Sequence, residues 1–259
     1  MTDELAPLPL GDIPSTSATS RNLAVPSRAL AIVAHPDDAE FQCGGTLSKW
    51  AAAGCTINHL VLTDGSRGTW DPEASTDELV ERRRGEQMEA ARRLGSTGKV
   101  VMLGHTDGEL QPSLHIRDQV AYWIRSLQPD VVLAHDPWKR YRLHPDHRNA
   151  GWLALDGIVA ARDPHYFRHH GLAVHRPDFA LLFEADEPDH VEDISGFVDS
   201  KVEALLAHKS QFVTTHAIPE DDDGSAATQF GERVRDHAAR VGAATGVDRG
   251  ESFKLLSSL

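Results

Sequence analysis

Short apolar segments alternate with longer amphipathic ones along most of the chain, with glycine-containing or polar turns between them. The apolar segments are rich in valine, isoleucine and leucine, and they predict buried β-strands. The amphipathic segments repeat apolar positions at helical spacing and predict α-helices. We predict strands at 28–34, 56–63, 99–103, 130–134 and 179–183, weaker strands at 191–194 and 253–256, and helices at 46–53, 76–94, 114–127, 145–162, 198–207 and 229–244.

This alternation indicates βαβ units, and therefore an α/β fold built on a mostly parallel sheet. A chain of 259 residues is compatible with one such domain, because single α/β domains reach about 250 residues. We place that domain at 28–259. Residues 1–27 are rich in proline, serine and threonine, and we expect them to form a flexible N-terminal tail.

Composition and charge argue against some binding partners and some cellular locations. The formal net charge is −13, so the chain repels polyanions and we do not expect it to bind nucleic acid. Region 1–27 has neither the basic start nor the apolar core of a signal peptide, and no apolar run is long enough for a transmembrane helix. Two cysteines are too few for a disulfide framework. We therefore expect a cytoplasmic protein with free thiols, and the sequence leaves a homo-oligomer open.

Four loops follow the ends of predicted strands, at 35–45, 64–71, 104–110 and 135–147. In a parallel α/β sheet these strand ends meet at one edge, and ligands bind there. The four loops contain the densest set of histidine, aspartate and arginine residues in the chain. We therefore expect the functional site at this edge on topological grounds.

The first and last of these loops hold candidate metal ligands. Residues three apart on a helical turn share a face, so His35 and Asp38 can hold one ion while Asp37 points away from it. His147 can be the third ligand, because Pro145 suits the first turn of a helix. Two imidazoles and a carboxylate, with open positions for water, form a catalytic zinc arrangement, and similar sites hold Fe²⁺.

The neighbouring polar residues suit proton transfer. Bound zinc lowers the pKa of its water to about 7, which makes hydroxide available at neutral pH. Asp37 is then the natural general base, and His144 can stabilise an oxyanion or protonate a leaving amine. Turn formation and helix capping explain either cluster taken alone. The presence of both clusters after apolar strands favours catalysis.

Other residues at this edge have less distinctive surroundings. Arg67 is a candidate for binding sugar hydroxyls, with an ordinary surface arginine as the alternative. Asp107 is a second candidate for substrate binding, with an Asp-Gly turn as the alternative. The histidine-rich segment 165–175 suggests a second metal site, but its spacing fits no compact ligand set, and we expect a solvated loop.

Two motifs resemble the signatures of a known family. The first is AHPDDAE at 34–40 followed by CGGT at 43–46, and the second is LHPDHR at 143–148. Both are similar to motifs of the LmbE-like (PIG-L) zinc-dependent N-acetylglucosaminyl deacetylases. The similarity extends over about 28–160, with a weaker match at HKSQ, 208–211.

The resemblance implies a Rossmann-like three-layer sandwich and hydrolysis of an N-acetyl group from an amino sugar or an N-acetylglucosaminyl conjugate. It also implies a metal, zinc by default, held by His35, Asp38 and His147. Asp37 would be the base in such a protein, and His144 would stabilise the oxyanion. These roles agree with those that the spacing of the residues suggests.

The chain departs from the family pattern at one position, and two alternative functions remain open. Some relatives have a tyrosine two residues before the first histidine of the second motif, where this chain has Arg142, so the role of that tyrosine is not carried over. The first alternative is an amidase that cleaves thiol-conjugate amides with the same metal site. The second is a non-catalytic sugar-binding module, against which the intact Asp37 and His144 argue.

Overall fold

The computed structural model describes residues 8–15 and 18–259, and its strands form one sheet with helices packed on both faces. The strands are β1 (Ser20–Arg21), β2 (Arg28–Val33), β3 (Thr56–Thr63), β4 (Val100–His105), β5 (Val131–His135), β6 (Phe179–Phe183), β7 (His190–Asp193) and β8 (Gly250–Leu256). The helices are α1 (Asp38–Ala52), α2 (Thr76–Arg93), α3 (Leu114–Leu127), α4 (Pro145–Arg162), α5 (Val198–Leu205) and α6 (Ser225–Thr245). The predicted α/β fold with a mostly parallel sheet is confirmed.

The strand order is β1-β7-β8-β6-β5-β2-β3-β4, and β8 alone of these strands runs antiparallel to its neighbours. From β2 the chain adds β3 and β4 on one side and then returns to add β5 on the other. The carboxyl ends of β2 and β5 therefore flank a topological switch point, where a crevice opens in such sheets. The first and last of the four predicted loops leave the sheet at this crevice.

Strand β2 shows why the strands in the middle of the sheet consist of consecutive apolar residues. Both faces of the sheet are covered by helices, so residues pointing in either direction are buried. Leu30 and Ile32 pack in a core cluster with residues of α3 and α4. Ala29, Ala31 and Val33 pack in a second cluster with residues of α1, α2 and α5. The sheet thus lies between two helical layers, as the resemblance implied.

Helix α1 begins at Asp38 rather than at residue 46, because the pair of glycines read as a helix boundary lies inside the helix. A Cβ at Gly45 would lie 2.6 Å from Ile194 Cδ1, so glycine permits close packing there. The helix is interrupted at Cys43, which has φ −141°. Glu251 on β8 accepts hydrogen bonds from Gly45 N (3.0 Å) and Thr46 N (2.8 Å), and so caps the second part of the helix.

The flexible tail expected at 1–27 needs correction in its described part. Ser20–Arg21 adds a strand to the edge of the sheet, pairing in parallel with β7. Leu8 and Leu10 pack against a small apolar cluster that contains Phe41 and Phe230. Apolar side chains and edge pairing outweigh the polar composition of this segment. The rest of the predicted tail, 1–7 and 16–17, lies outside the described residues.

None of the described helices combines the length and the apolar character that a membrane span requires.

Candidate metal centre

The loop after β2 and the loop after β5 bring three of the predicted residues together. His35 Nδ1 lies 3.1 Å from His147 Nε2 and 3.5 Å from Asp38 Oδ2, and His147 Nε2 lies 3.3 Å from Asp38 Oδ1. Ligand atoms around a tetrahedral zinc ion are roughly 3.4 Å apart, given bond lengths of about 2.0–2.2 Å. All three side chains are buried at the bottom of a cavity. The donor set therefore fits a divalent cation.

The protonation of the two imidazoles is compatible with this role. Burial lowers the pKa of His147 to about 4, so its ring is neutral at neutral pH, which is the form that binds metals. Burial opposes charge on His35 as well, but the carboxylates of Asp107, Asp146 and Asp38 outweigh it and raise its pKa well above the usual value. Cation binding at His35 would therefore release a proton.

The far side of the His35 ring faces carboxylates. Its Nε2 lies 3.2 Å from Asp146 Oδ2 and 3.1 Å from Asp107 Oδ1. Asp146 is fully buried and also accepts hydrogen bonds from Gly108 N (2.7 Å) and Leu110 N (3.2 Å). A carboxylate behind a ligating histidine fixes the ring and places its proton on the outer nitrogen. Sequence reasoning missed this position of Asp146, although the residue lies inside the second motif.

Asp107 is in the cavity wall, as expected for a residue at this edge. Its carboxylate is engaged by the protein, because it lies beside His35 and accepts a hydrogen bond from Arg67 N at 3.1 Å. The contact with substrate that we predicted for Asp107 stays a prediction. Arg67 also lines the cavity, and its side chain is largely exposed.

Asp37 lies beside the donor trio but is turned away from it. Its backbone has φ 94°, a left-handed conformation that costs a non-glycine residue about 1–3 kcal/mol. Two residues of α2 hold this turn. Gln87 Oε1 accepts a hydrogen bond from Asp37 N (3.0 Å), and Arg83 donates to Pro36 O (2.7 Å) and to Gly65 O (2.9 Å). Sequence reasoning did not single out either residue of α2.

The environment of Asp37 suits proton transfer. Burial raises the pKa of Asp37 to about 6, although the guanidinium of Arg83, 3.4 Å from Asp37 Oδ2, opposes the rise. A base whose pKa lies near the working pH accepts and returns protons efficiently. The structure thus places a carboxylate of suitable basicity next to the candidate metal centre.

His144 is the exposed member of the histidine group. Its ring stacks on that of His147, with centroids 4.9 Å apart, and contacts His35 edge-on at 4.7 Å. Partial burial and the neighbouring charge of His35 lower the pKa of His144 below its usual value. A neutral ring still donates one N–H, so the oxyanion role predicted for His144 does not require an imidazolium.

His135, the last residue of β5, is a buried neighbour that sequence reasoning missed. Its Nε2 lies 3.2 Å from Asp38 Oδ2 and its Nδ1 lies 3.1 Å from Glu184 Oε2. Burial alone would lower the pKa of His135, but Asp38 and Glu184 outweigh it and raise the pKa. The ring of His135 thus links Asp38 to Glu184, and with Asp38 and His147 it forms a further group of potential ligands. Its place at a strand end on the ligand-binding edge was the available signal.

A second group of potential ligands, Asp118, His169 and His170, lies in the histidine-rich region. His170 Nδ1 lies 3.1 Å from Arg125 Nη1, and arginine can only donate, so this nitrogen accepts. The ring proton must then be on Nε2, which donates to Asp118 Oδ1 at 2.6 Å. Neither nitrogen of His170 has a lone pair left for a cation. In this arrangement the group forms a hydrogen-bonded cluster.

Fold and site together define an α/β protein with a candidate metal centre at the switch point of its sheet. Comparison with known proteins identifies its family. The family model described as "GlcNAc-PI de-N-acetylase" matches residues 30–157. The chain belongs to this family, the LmbE-like (PIG-L) proteins, which confirms the resemblance seen in its two motifs.

Individual relatives extend this comparison. A diacetylchitobiose deacetylase from Thermococcus kodakarensis is 37% identical over 188 residues, which are 71% of this chain and 70% of that protein. A probable N-acetyl-alpha-D-glucosaminyl L-malate deacetylase 2 from Bacillus anthracis is 27% identical over 203 residues, 75% of this chain and 87% of that protein. The solved N,N'-diacetylchitobiose deacetylase from Pyrococcus horikoshii is similar in structure, with a TM-score of 0.80 and 33% identity over 90% of this chain and 84% of that one.

Proposed function

We propose that this protein is a metal-dependent N-deacetylase. It hydrolyses the acetamide of an N-acetylated amino sugar, or of an N-acetylglucosaminyl conjugate, to a free amine and acetate. The observation that carries the proposal is a single cavity that contains the donor trio and, beside it, the carboxylate of Asp37. Membership of the family, and relatives named as deacetylases of N-acetylglucosamine compounds, support it.

We propose Zn²⁺ as the metal, with Fe²⁺ as the alternative. His35, Asp38 and His147 would hold it through the atoms that face one another in the cavity. When bound, the ion supplies Lewis acidity, which acidifies water and polarises the acetyl carbonyl.

The reaction needs one base and one donor from the chain. Asp37 accepts a proton from the attacking water, whose oxygen forms a bond to the acetyl carbon. His144 donates its N–H to the carbonyl oxygen as negative charge develops there. The proton then passes to the nitrogen, the carbon–nitrogen bond breaks, and the amine and acetate leave. Arg83 and Gln87 keep the base in position by holding its backbone turn.

The test separates the base from the ligands. Metal-loaded wild type should release acetate from N-acetylglucosamine or its glycosides. Asp37→Asn should retain bound metal in elemental analysis but lose about 10²- to 10⁴-fold in kcat, because it lacks the base. His147→Ala should lose the metal itself. His165→Ala, in an exposed position of the histidine-rich segment, is the matched control and should keep both metal and activity.

Three results would contradict this proposal. Full activity in Asp37→Asn would refute the assignment of the base. Retained metal in His147→Ala would refute the ligand assignment. Cleavage of thiol-conjugate amides in place of N-acetyl sugars would favour the amidase alternative.

A further inference from the structure

The charges in the wall of the catalytic cavity bear on the kind of substrate that it accepts. The cavity has a volume of about 490 Å³, which suits a sugar carrying a further small group. Among the described residues that line it, the permanently charged cations are Arg67 and Arg83. An anionic group on the substrate would need one of these guanidinium groups as its partner.

Arg83 is largely engaged by protein acceptors. Its side chain is 3% exposed, and its terminal nitrogens Nη1 and Nη2 are directed at Gly65 O, Pro36 O and the carboxylate of Asp37, while its Nε has no partner among the described residues. Removing it from these acceptors would leave buried carbonyl groups without a donor, which costs about 1–3 kcal/mol for each group. The two terminal nitrogens of Arg83 are therefore engaged by the protein, and Arg67 is the more accessible cation for a substrate group.

Arg67 is exposed, but it already has an anionic partner. Its Nη2 forms an ion pair with Glu109 Oε1. Arg67 lines the cavity, and Glu109 directly follows Gly108, which also lines it. The Arg67 side chain extends along Gly108, where an added Cβ would lie 3.0 Å from Nη1. The glycine thus allows the guanidinium to lie close to the backbone and within reach of Glu109.

The remainder of the outer wall is uncharged. Trp70 is 81% exposed, and Thr69, Thr214 and Thr215 offer hydroxyl groups beside it. An exposed indole ring provides a flat apolar face, and hydroxyl groups exchange hydrogen bonds with other hydroxyl groups. This surface matches the neutral, hydroxyl-rich surface of a sugar rather than a carboxylate or a phosphate.

We propose that Glu109 makes the site selective for glycosides whose group next to the reacting sugar is uncharged, such as a second sugar residue. The inference rests on the proposed deacetylase function and deepens it by naming the substrate class. An anionic group would have to share Arg67 with Glu109, whose carboxylate partly neutralises the guanidinium and repels a second negative charge beside it. The net charge of −13 adds to this repulsion.

The experiment compares two substrates that share the reacting N-acetylglucosamine. One is N,N'-diacetylchitobiose, which is neutral, and the other is N-acetylglucosamine 1-phosphate. The selectivity is the ratio of their kcat/KM values, measured by acetate release at low salt. We expect wild type to favour the neutral substrate. Glu109→Gln should raise kcat/KM for the phosphate about two- to fivefold, the range that an exposed ion pair supplies, and leave the neutral substrate unchanged.

The matched control is Glu81→Gln, which removes the same charge from an exposed glutamate paired with Arg84 on α2. It should leave the ratio at the wild-type value. In a background of Arg67→Gln, the effect of Glu109→Gln on the phosphate should be smaller, because the relief of repulsion remains but the freed guanidinium is absent. This double-mutant comparison separates the local pair from the overall charge.

Two outcomes would overturn the inference while leaving the proposed function intact. One is a wild type that processes both substrates equally well. The other is an equal gain in Glu109→Gln and Glu81→Gln, which would assign the effect to net charge. A metal-loaded wild type that releases no acetate from any N-acetylated sugar would instead refute the proposed function, and the inference with it.

Discussion

Replacing Arg83 by lysine would test how far catalysis depends on the geometry of Asp37. Arg83 donates to Pro36 O at 2.7 Å and to Gly65 O at 2.9 Å, and its Nη2 lies 3.4 Å from Asp37 Oδ2. Lysine keeps the charge, but a single ammonium group cannot reproduce the planar fork of arginine. We expect the Arg83→Lys protein to fold and to bind metal, with Asp37 displaced from its position.

Arg83→Lys should affect both the stability of the fold and the rate of catalysis. Loss of one hydrogen bond from a charged donor costs about 1.5–3 kcal/mol of folding free energy. A displacement of about 1 Å at a reacting group costs about 10²-fold in rate. We therefore expect kcat to fall about 10²-fold. KM should change little, because Arg83 is 3% exposed and bound to protein acceptors.

Arg125→Lys is the matched control for this experiment. Arg125 is also buried and also donates to backbone carbonyls, among them Ala160 O at 2.9 Å and Ala161 O at 3.0 Å, but it lies outside the catalytic cavity. Urea unfolding should show comparable losses of stability in the two variants, whereas acetate release should show a fall in kcat only for Arg83→Lys. Wild-type kcat in Arg83→Lys, or an equal fall in Arg125→Lys, would refute the reasoning.

Three further substitutions test the packing and the buried ion pair that support the site. Gly151→Ala should cost about 1–3 kcal/mol in urea unfolding and weaken metal binding measured by titration, because a Cβ there would lie 2.5 Å from His135 O and would shift α4. Glu251→Gln should lower the free energy of unfolding by about 3–5 kcal/mol, since it leaves Lys201, now 2.6 Å from Glu251, buried without a charged partner. Leu30→Ala should cost about 2–5 kcal/mol in the same assay through the cavity that it leaves in the core. Wild-type stability in any of these variants would contradict the packing described for that position.

The parts of the fold that could be predicted are those determined by residues close together in the sequence. Strands β2 to β6 were predicted from runs of apolar residues, and α3 and α4 from helical spacing and Pro145. The convergence of His35, Asp38 and His147 could also be predicted, because parallel strand ends meet at one edge of the sheet. Their role as ligands stays a proposal.

The parts that could not be predicted depend on partners far away in the sequence. The start of α1 was misplaced because the glycine pair was read as a boundary, whereas its close packing involves Ile194 and its cap is Glu251. The contacts of His135 with Asp38 and Glu184 depend on β5 lying beside β2 and β6, and the support of Asp37 by Arg83 depends on the position of α2. Nothing in the spacing of these residues reveals such contacts.

The cap that Glu251 provides has a consequence for how the protein is made. Helix α1 carries Asp38 at its start, yet the hydrogen bonds that secure its second half come from a residue more than two hundred positions later. During translation, a chain that has emerged only as far as α4 contains both histidine motifs but lacks this support. We therefore expect the second half of α1 to gain its cap only after β8 has left the ribosome.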